Sequence, residues 1–236
     1  MIPHLIHQIW LGESGGSSPP STFQQAAASW RHHHHDWEYR LWGSAEIRQL
    51  FAAARPELQG LYDAYPYWVQ RADAARYLIL HEYGGIYADL DILCERSFEF
   101  IGNCDLVLTP TKPLGMSNDL MVTEAGHPLF RRLLDELPSS YHRWQKPWVL
   151  PHFQIMCGTG SLHLSRVFAM VEDHTPVRLL SNSEYGHGNI DEALVRHIDG
   201  NTWAGWDTHA LIFLQRRWKR SLLGVLVILV LLVFLL

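Results

Sequence analysis

Tyr83-Gly84-Gly85-Ile86-Tyr87-Ala88-Asp89-Leu90-Asp91 is the stretch that decides the architecture. Before it, Trp68, Ala72, Ala75, Ile79 and Tyr83 recur at spacings of three and four, the pattern of a helix with one buried stripe. Gly84-Gly85 suits the position past a helix C-terminus, and Ile86 to Ala88 reads as the start of a buried strand. That strand ends in two carboxylates. On an extended segment, residues two apart project to the same side, about 6.5 Å apart. Two such anions at a sheet edge repel each other unless a cation lies between them. A hard divalent ion, Mg²⁺ or Mn²⁺, fits oxygen ligands and can also take the diphosphate oxygens of a departing nucleotide. Asp73 and Arg76 lie one turn apart on the preceding helix, so its polar edge reaches toward the same pocket.

Outward from this centre, apolar strand runs alternate with helical ones. Ile2 to Leu11 reads as a first strand with His7 and Gln8 inside it, and Gly12 to Ser21 as a Gly/Ser/Pro loop. Phe23 to Trp30 reads as a short helix, Trp37 to Trp42 as a strand, and Ala45 to Ala54 as a helix. Leu106 to Leu108 is another apolar strand, Pro128 to Leu137 a helix, and Ile155 to Phe168 a Gly-broken turn and helix. The alternation predicts one α/β domain over residues 1–214, with no internal repeat. His32 to His35 cannot all face one ion and reads as a solvated loop.

Composition narrows the function classes. The 236 residues suffice for a real core, and a net charge of -5 without a basic stripe excludes a nucleic-acid face. Three scattered cysteines, Cys94, Cys104 and Cys157, make neither a disulfide framework nor a zinc knuckle, and read as buried thiols in a reducing compartment. Ten tryptophans suit either sugar and base stacking or the core. The N-terminus carries no secretory signal pattern. Residues 215–236 differ in kind. Arg216, Arg217, Lys219 and Arg220 precede an unbroken apolar run from Leu222 to Leu236. As a helix, that run would be roughly 22 Å long, against a hydrocarbon core of about 30 Å. It reads as a C-terminal membrane helix that either spans a thinned bilayer or dips into one leaflet. The positive-inside rule places the domain on the cytoplasmic side of a single-pass or monotopic protein.

Arg71-Ala72-Asp73-Ala74-Ala75-Arg76-Tyr77, followed by Tyr83 to Tyr87 and Asp89-Leu90-Asp91, resembles the Asp-x-Asp signature of glycosyltransferase family 32. Ile2 to Trp10 is similar to that family's first strand, and Trp30 to Trp42 to its next block. Tyr65-Pro66-Tyr67, Cys94-Glu95-Arg96, Ser117-Asn118-Asp119-Leu120-Met121, Gly126-His127-Pro128 and Ile155-Met156-Cys157-Gly158-Thr159-Gly160 resemble its inositol-phosphorylceramide mannosyltransferase branch. The resemblance runs from about residue 2 to residue 210.

It implies a GT-A-type, Rossmann-like domain that binds a nucleotide sugar at the C-terminal ends of its strands. It also implies retaining transfer of a hexose, with GDP-mannose the first donor and a UDP-hexose the alternative. Trp10 would then pack near the base, or simply be core. Asp73, Arg76 and Tyr87 would lie on the donor, Asp89 on ribose and metal, and Asp91 on the Mn²⁺ or Mg²⁺ directly. Asn118 and Asp119 would line the sugar-acceptor side, with Asp119 also open to a covalent role. His197 stands in a His-x-x-Gly context and is the candidate third metal ligand, with a structural role or replacement by Asn201 or Thr202 as alternatives. Thr202-Trp203-Ala204 departs from the family's Ser-Trp-His and leaves that histidine without a counterpart. The partners expected are a nucleotide sugar, a lipid or glycan acceptor, the membrane through the tail, and a regulatory membrane subunit. A surface polysaccharide as acceptor, and a membrane-tethered adaptor that binds metal through His32 to His35, are the competing readings.

Overall fold

The computed structural model describes residues 1–12, 18–98, 104–111, 115–171 and 177–198, together with 205, 207, 208 and 211. A six-stranded sheet forms the frame. Its strands are β1 (Leu5–Ile9), β2 (Glu38–Trp42), β3 (Gly85–Ala88), β5 (Leu106–Pro110), β6 (Met116–Thr123) and β7 (Val177–Leu179), in the order β2-β1-β3-β6-β5-β7. All run parallel except β6, which is antiparallel to both neighbours. A separate antiparallel pair joins β4 (Ile92–Cys94) to β8 (Val195–His197).

Alternation along each strand feeds two cores. Ile86, Val107, Leu120 and Val122 pack on one face with Trp30 of α1 (Ser21–His33) and with the β4–β8 pair. Tyr87, Leu106, Leu108 and Met121 point to the other face. There they meet α2 (Ser44–Ala54), α3 (Pro56–Ala64), α4 (Trp68–Tyr83), α5 (Pro128–Trp144) and α7 (Ser161–Met170), while α6 (Pro151–Gly158) packs on α5 and α7.

Three local expectations need correction. α4 has the bounds the sequence predicts, but not one buried stripe. Residues Ala72 to Leu80 are buried without a break, whereas Trp68 is 47% exposed. The polar residues among them are buried because they pair with one another. α5 continues past Leu137 to Trp144, because Pro138 falls on its exposed face, where water can meet the carbonyl that loses its partner. The histidine run is not one solvated loop. His32 and His33 close α1, and His34 is buried, with Nδ1 3.0 Å from the Trp30 carbonyl and Nε2 accepting from the Phe98 amide at 2.9 Å.

Between α4 and β3 the chain reverses through Gly84 (φ +63°) and Gly85 (φ +90°), in backbone regions that favour glycine. A Cβ on Gly85 would sit 2.5 Å from the Leu5 carbonyl oxygen, so β1 and β3 can lie side by side only without it. Gly85→Ala is therefore expected to cost about 3 kcal/mol or more, from strained φ plus a backbone clash. Urea unfolding of the variant measures it; an unchanged midpoint would contradict this reason for the pair.

His7 explains the polar residue inside β1. It is 1% exposed, with Nε2 bonded to the Gly84 carbonyl (3.0 Å) and Nδ1 accepting from the Trp42 indole N–H (3.2 Å). Both contacts require the neutral ring with its proton on Nε2. Burial pushes its pKa down to about 4. The unfolded chain thus binds a proton near pH 6.5 that the folded chain refuses. Stability falls as pH drops from 6.5 to 4 and is level below. Between pH 7 and pH 5 the His7 contribution amounts to a loss of about 2 kcal/mol, which His7→Gln should lack. Equal acid sensitivity of the two proteins would refute it.

The apolar run Leu222 to Leu236 and its basic flank lie outside the described residues. Among those described, no helix is long and apolar enough to cross a membrane.

Candidate active site

Following the chain from β1 leads to β2 on one side and, later, to β3 on the other. The reversal leaves a crevice beyond the carboxyl ends of β1 and β3, the place where open α/β sheets bind ligands. A cavity of about 440 Å³ occupies it. Trp10 just past β1, Asp73 and Arg76 from α4, Tyr87 from β3, Asp89 and Asp91 after β3, Asn118 and Asp119 from β6, and His197 from β8 all line it. The structure thus gathers every site residue that the sequence singles out within the described region. Asn201 and Thr202 lie outside it.

The Asp-x-Asp pair does not lie on an extended strand. β3 ends at Ala88, and the chain folds into a tight turn in which the Ile92 amide donates to the Asp89 carbonyl (3.1 Å). This turn is held from both sides. The Asp89 amide donates to the Asp119 carbonyl (2.8 Å), and Gln8, buried in β1, donates through Nε2 to the Asp89 carbonyl (3.2 Å). Gln8 is itself oriented by the Tyr39 hydroxyl (2.7 Å). The β4–β8 pairing then sets Ile92 opposite His197, and the Ile198 amide donates to the Asp91 carbonyl (2.8 Å). A residue more than a hundred positions away in sequence is thereby placed beside Asp91.

Beneath the turn lies a buried ionic network. Arg76 Nη2 is 3.2 Å from both Asp73 Oδ1 and Asp89 Oδ1, and Nη1 donates to the Asn118 carbonyl at 2.7 Å. Its guanidinium also lies 4.8 Å from the centre of the Tyr87 ring. Burial would lower the Arg76 pKa, but Asp89, Tyr87 and Asp73 outweigh it and raise it. Asp73 accepts from Asn118 Nδ2 (2.9 Å) and Thr159 Oγ1 (2.8 Å). The Tyr77 hydroxyl donates to the Thr159 carbonyl (2.7 Å). The sequence motifs assign no role to Thr159 or Tyr77; the Thr159 hydroxyl on Asp73 and the Tyr77 hydroxyl, which accepts from Asn118 Nδ2 (3.3 Å), complete the network.

The carboxylates facing the cavity crowd one another. Burial raises Asp89 to about 7, against the pull of Arg76 and with help from Asp91 and Asp119. Asp91 is raised by burial and by Asp119, while His197 opposes the shift. The Tyr87 hydroxyl donates to Asp89 Oδ1 at 2.6 Å, and the Tyr185 hydroxyl to Asp119 Oδ2. Of the five buried side-chain atoms that find no hydrogen-bond partner among the described residues, two belong to this cluster: Asp119 Oδ1 and His197 Nε2. Tyr185, which packs its ring edge-on against His197 at 4.7 Å, carries no local sequence signal and comes from the segment before β8.

Like-charged carboxylates with raised pKa values, beside an imidazole nitrogen lacking a partner, are suited to a hard divalent ion, which would reverse the local repulsion. Among the described residues no three His, Cys, Asp or Glu side chains come together as a group that could hold a metal ion by themselves. The fit therefore requires substrate oxygens and water to fill the shell, as Mg²⁺ sites on phosphate substrates do. The adaptor reading loses one of its four candidate ligands, since the buried His34 ring is engaged by Trp30 and Phe98. The cysteines are free, and burial pushes Cys94 and Cys157 to about 12, so neither is a nucleophile at neutral pH.

Comparison with known proteins agrees with this geometry. Residues 20–108 match the family described as the glycosyltransferase sugar-binding region containing a DXD motif. Inositol phosphoceramide mannosyltransferase 1 of Schizosaccharomyces pombe is 30% identical over 224 residues, covering 94% of this chain and 68% of that one. Mannosyl phosphorylinositol ceramide synthase SUR1 of Saccharomyces cerevisiae is 32% identical over 190 residues, covering 78% of this chain and 48% of its own length. The chain thus spans about half to two thirds of these relatives. In fold it is similar to the UDP-bound glycosyltransferase domain of the YGT toxin (TM-score 0.59, 9% identity, 83% of each chain). It is also similar to the PaToxG glycosyltransferase (TM-score 0.56, 16% identity, 72% of this chain and 68% of that one). A DXD turn at the opening of an α/β sheet, the family match over residues 20–108 and 30% identity to a yeast enzyme over 94% of this chain converge: the chain belongs to the DXD-containing glycosyltransferase family and is a glycosyltransferase.

Proposed function

We propose that the protein transfers a hexose, mannose from GDP-mannose in the first instance, to a hydroxyl of an inositol-phosphoceramide-like membrane lipid, with retention and with divalent-metal assistance. The observation that carries the reading is the Asp89–Asp91 turn at the mouth of the crevice, with Asp119 and His197 facing it. The acceptor class rests on the named activities of the yeast relatives.

Asp91, with Asp89 and His197 Nε2 as further candidates, would hold Mn²⁺ or Mg²⁺ only together with substrate oxygens, and the ion would supply charge neutralisation for the leaving diphosphate. The chain's own residues do the rest. Arg76, engaged on all sides, fixes the orientation of Asp89. Asp73, locked by Thr159 and Asn118, fixes Arg76 in turn. Trp10, partly exposed at the rim and edge-on to Phe23 at 6.1 Å, offers a face to the base. Asp119 keeps Oδ1 without a partner on the side given to the reacting sugar. There it can stabilise positive charge developing at the anomeric carbon. The acceptor hydroxyl attacks on the same face, and its proton passes to the departing phosphate.

Incubation with GDP-mannose, Mn²⁺ and vesicles containing inositol phosphoceramide, followed by mass analysis of the lipid, tests the reading. One added hexose on the lipid is expected. Transfer only to water-soluble glycans would replace this acceptor with a polysaccharide.

A further inference from the structure

Three of the exposed large apolar side chains among the described residues stand at the start of α4 and in the α5–α6 connection that Gln70 bonds to it. Trp148 is 80% exposed, Trp68 47% and Leu150 40%. Trp68 opens α4 and lines the cavity together with Ile155 and Met156 of α6. Trp148 and Leu150 belong to the connection between α5 and α6, which packs beside the first turn of α4.

This connection is built, not loose. Its turn closes through the Val149 amide on the Lys146 carbonyl (3.0 Å). From beneath, Gln154 Nε2 donates to the carbonyls of both Lys146 (2.9 Å) and Val149 (2.7 Å). Gln70 of α4 ties in by donating to the Gln154 carbonyl (3.0 Å) and to Gln145 Oε1 (3.2 Å). Gln70 is 1% exposed and Gln154 7%. Buried amides are costly unless bonded; here the Gln154 and Gln70 NH₂ groups spend their donors on the turn that carries the exposed Trp148, while Gln70 Oε1 is left without a partner. A water-soluble surface gains nothing from that arrangement, whereas a bilayer interface does, because tryptophan prefers the headgroup level.

Two further observations name the occupant. From His142 to His152 the chain carries Arg143 and Lys146 and no carboxylate, which complements anionic headgroups. The chain also returns to this place: Asp207 accepts from the His152 amide (2.7 Å), and Thr208 Oγ1 lies 3.0 Å from His152 Nδ1. The next residues in sequence lead to Arg216, Arg217, Lys219 and Arg220 and the apolar run from Leu222.

We infer that the Trp148–Leu150 turn is a membrane-docking surface that seats the rim of the crevice on an anionic lipid bilayer. This deepens the lipid-acceptor reading and rests on it for its purpose, though not for its test. Docking would present a headgroup hydroxyl to the cavity past Trp68 without lifting the lipid out of the membrane.

The test uses the full chain on phosphatidylcholine vesicles containing phosphatidylinositol, with bromine on the acyl chains to quench nearby indoles. Wild type is compared with Trp148→Phe for quenching, and with Trp148→Ser/Leu150→Ser for kinetics. Quenching that Trp148→Phe removes is expected, as is a rise of about tenfold in KM for vesicle-borne acceptor in the double variant, from lost apolar burial. Its kcat, its thermal midpoint and its hydrolysis of the nucleotide sugar in water should not move. Equal quenching of wild type and Trp148→Phe, with an unchanged KM, would overturn the surface. Quenching lost in Trp148→Phe without any glycosylation of lipid would uphold the surface and sink the acceptor instead.

Discussion

Asp91→Ala is expected to lower transfer by about a thousandfold or more, with the fold intact. The reasoning is electrostatic. Asp91 faces the cavity, its pKa is raised by burial and by Asp119, and removing it relieves crowding, so stability should hold or rise. On the proposed reading, what is lost is the carboxylate that would bring a divalent ion to the diphosphate. An interaction worth several kcal/mol at the leaving group corresponds to roughly three decades in rate. Asp91→Asn is expected to behave nearly as badly, because the amide keeps the shape and loses the charge. Initial rates with GDP-mannose at saturating Mn²⁺, alongside thermal midpoints, separate the two effects. An Asp91→Ala enzyme with more than about a tenth of normal turnover would contradict any metal role for the turn.

The second large effect is on stability. Arg76→Met removes a guanidinium that is 4% exposed and leaves Asp73, equally buried, with no cation, and Asp89 facing Asp91 and Asp119 alone. Breaking a buried ion pair by deleting one partner costs about 3–5 kcal/mol. The penalty should shrink at low pH, where Asp73 and Asp89, both already raised by burial, take up protons and no longer need the cation. Denaturant melts of wild type and Arg76→Met at pH 7.5 and pH 5 check both statements. A penalty as large at pH 5 as at pH 7.5 would mean that packing, not charge, explains the loss. Arg76→Lys should recover only part, since one ammonium cannot reach two carboxylates and a carbonyl in the fork geometry seen here.

How much of this was legible beforehand varies by residue, for physical reasons. The bounds of α4 were readable because helical spacing ends against Gly84-Gly85, and a glycine pair tolerates the positive φ that stops the helix. Its complete burial was not. Gln70, Asp73 and Arg76 look like a solvent face in sequence, and only their partners, Gln154, Thr159, Asn118 and Asp89, make them affordable inside. The two aspartates were readable as a pair, but their geometry was not. The turn at Asp89–Ile92 depends on hydrogen bonds from β1 and β6, which no local pattern encodes. His197 reaches Asp91 through strands of three residues each, too short for a periodic signal. Tyr185 gave none at all. In the histidine run, hydropathy could not distinguish His34 from its neighbours. Its burial follows from the phase of α1, which returns His34 to the side of Trp30.

Calorimetric titration of GDP-mannose into the protein, with and without Mn²⁺, decides whether the DXD turn binds a nucleotide sugar through a divalent ion. Binding is expected to require Mn²⁺ in the wild type and to disappear in Asp91→Ala. A panel including UDP-hexoses identifies the base in the same experiment. Binding of equal strength with and without the ion, or retained in Asp91→Ala, would contradict that mode of binding.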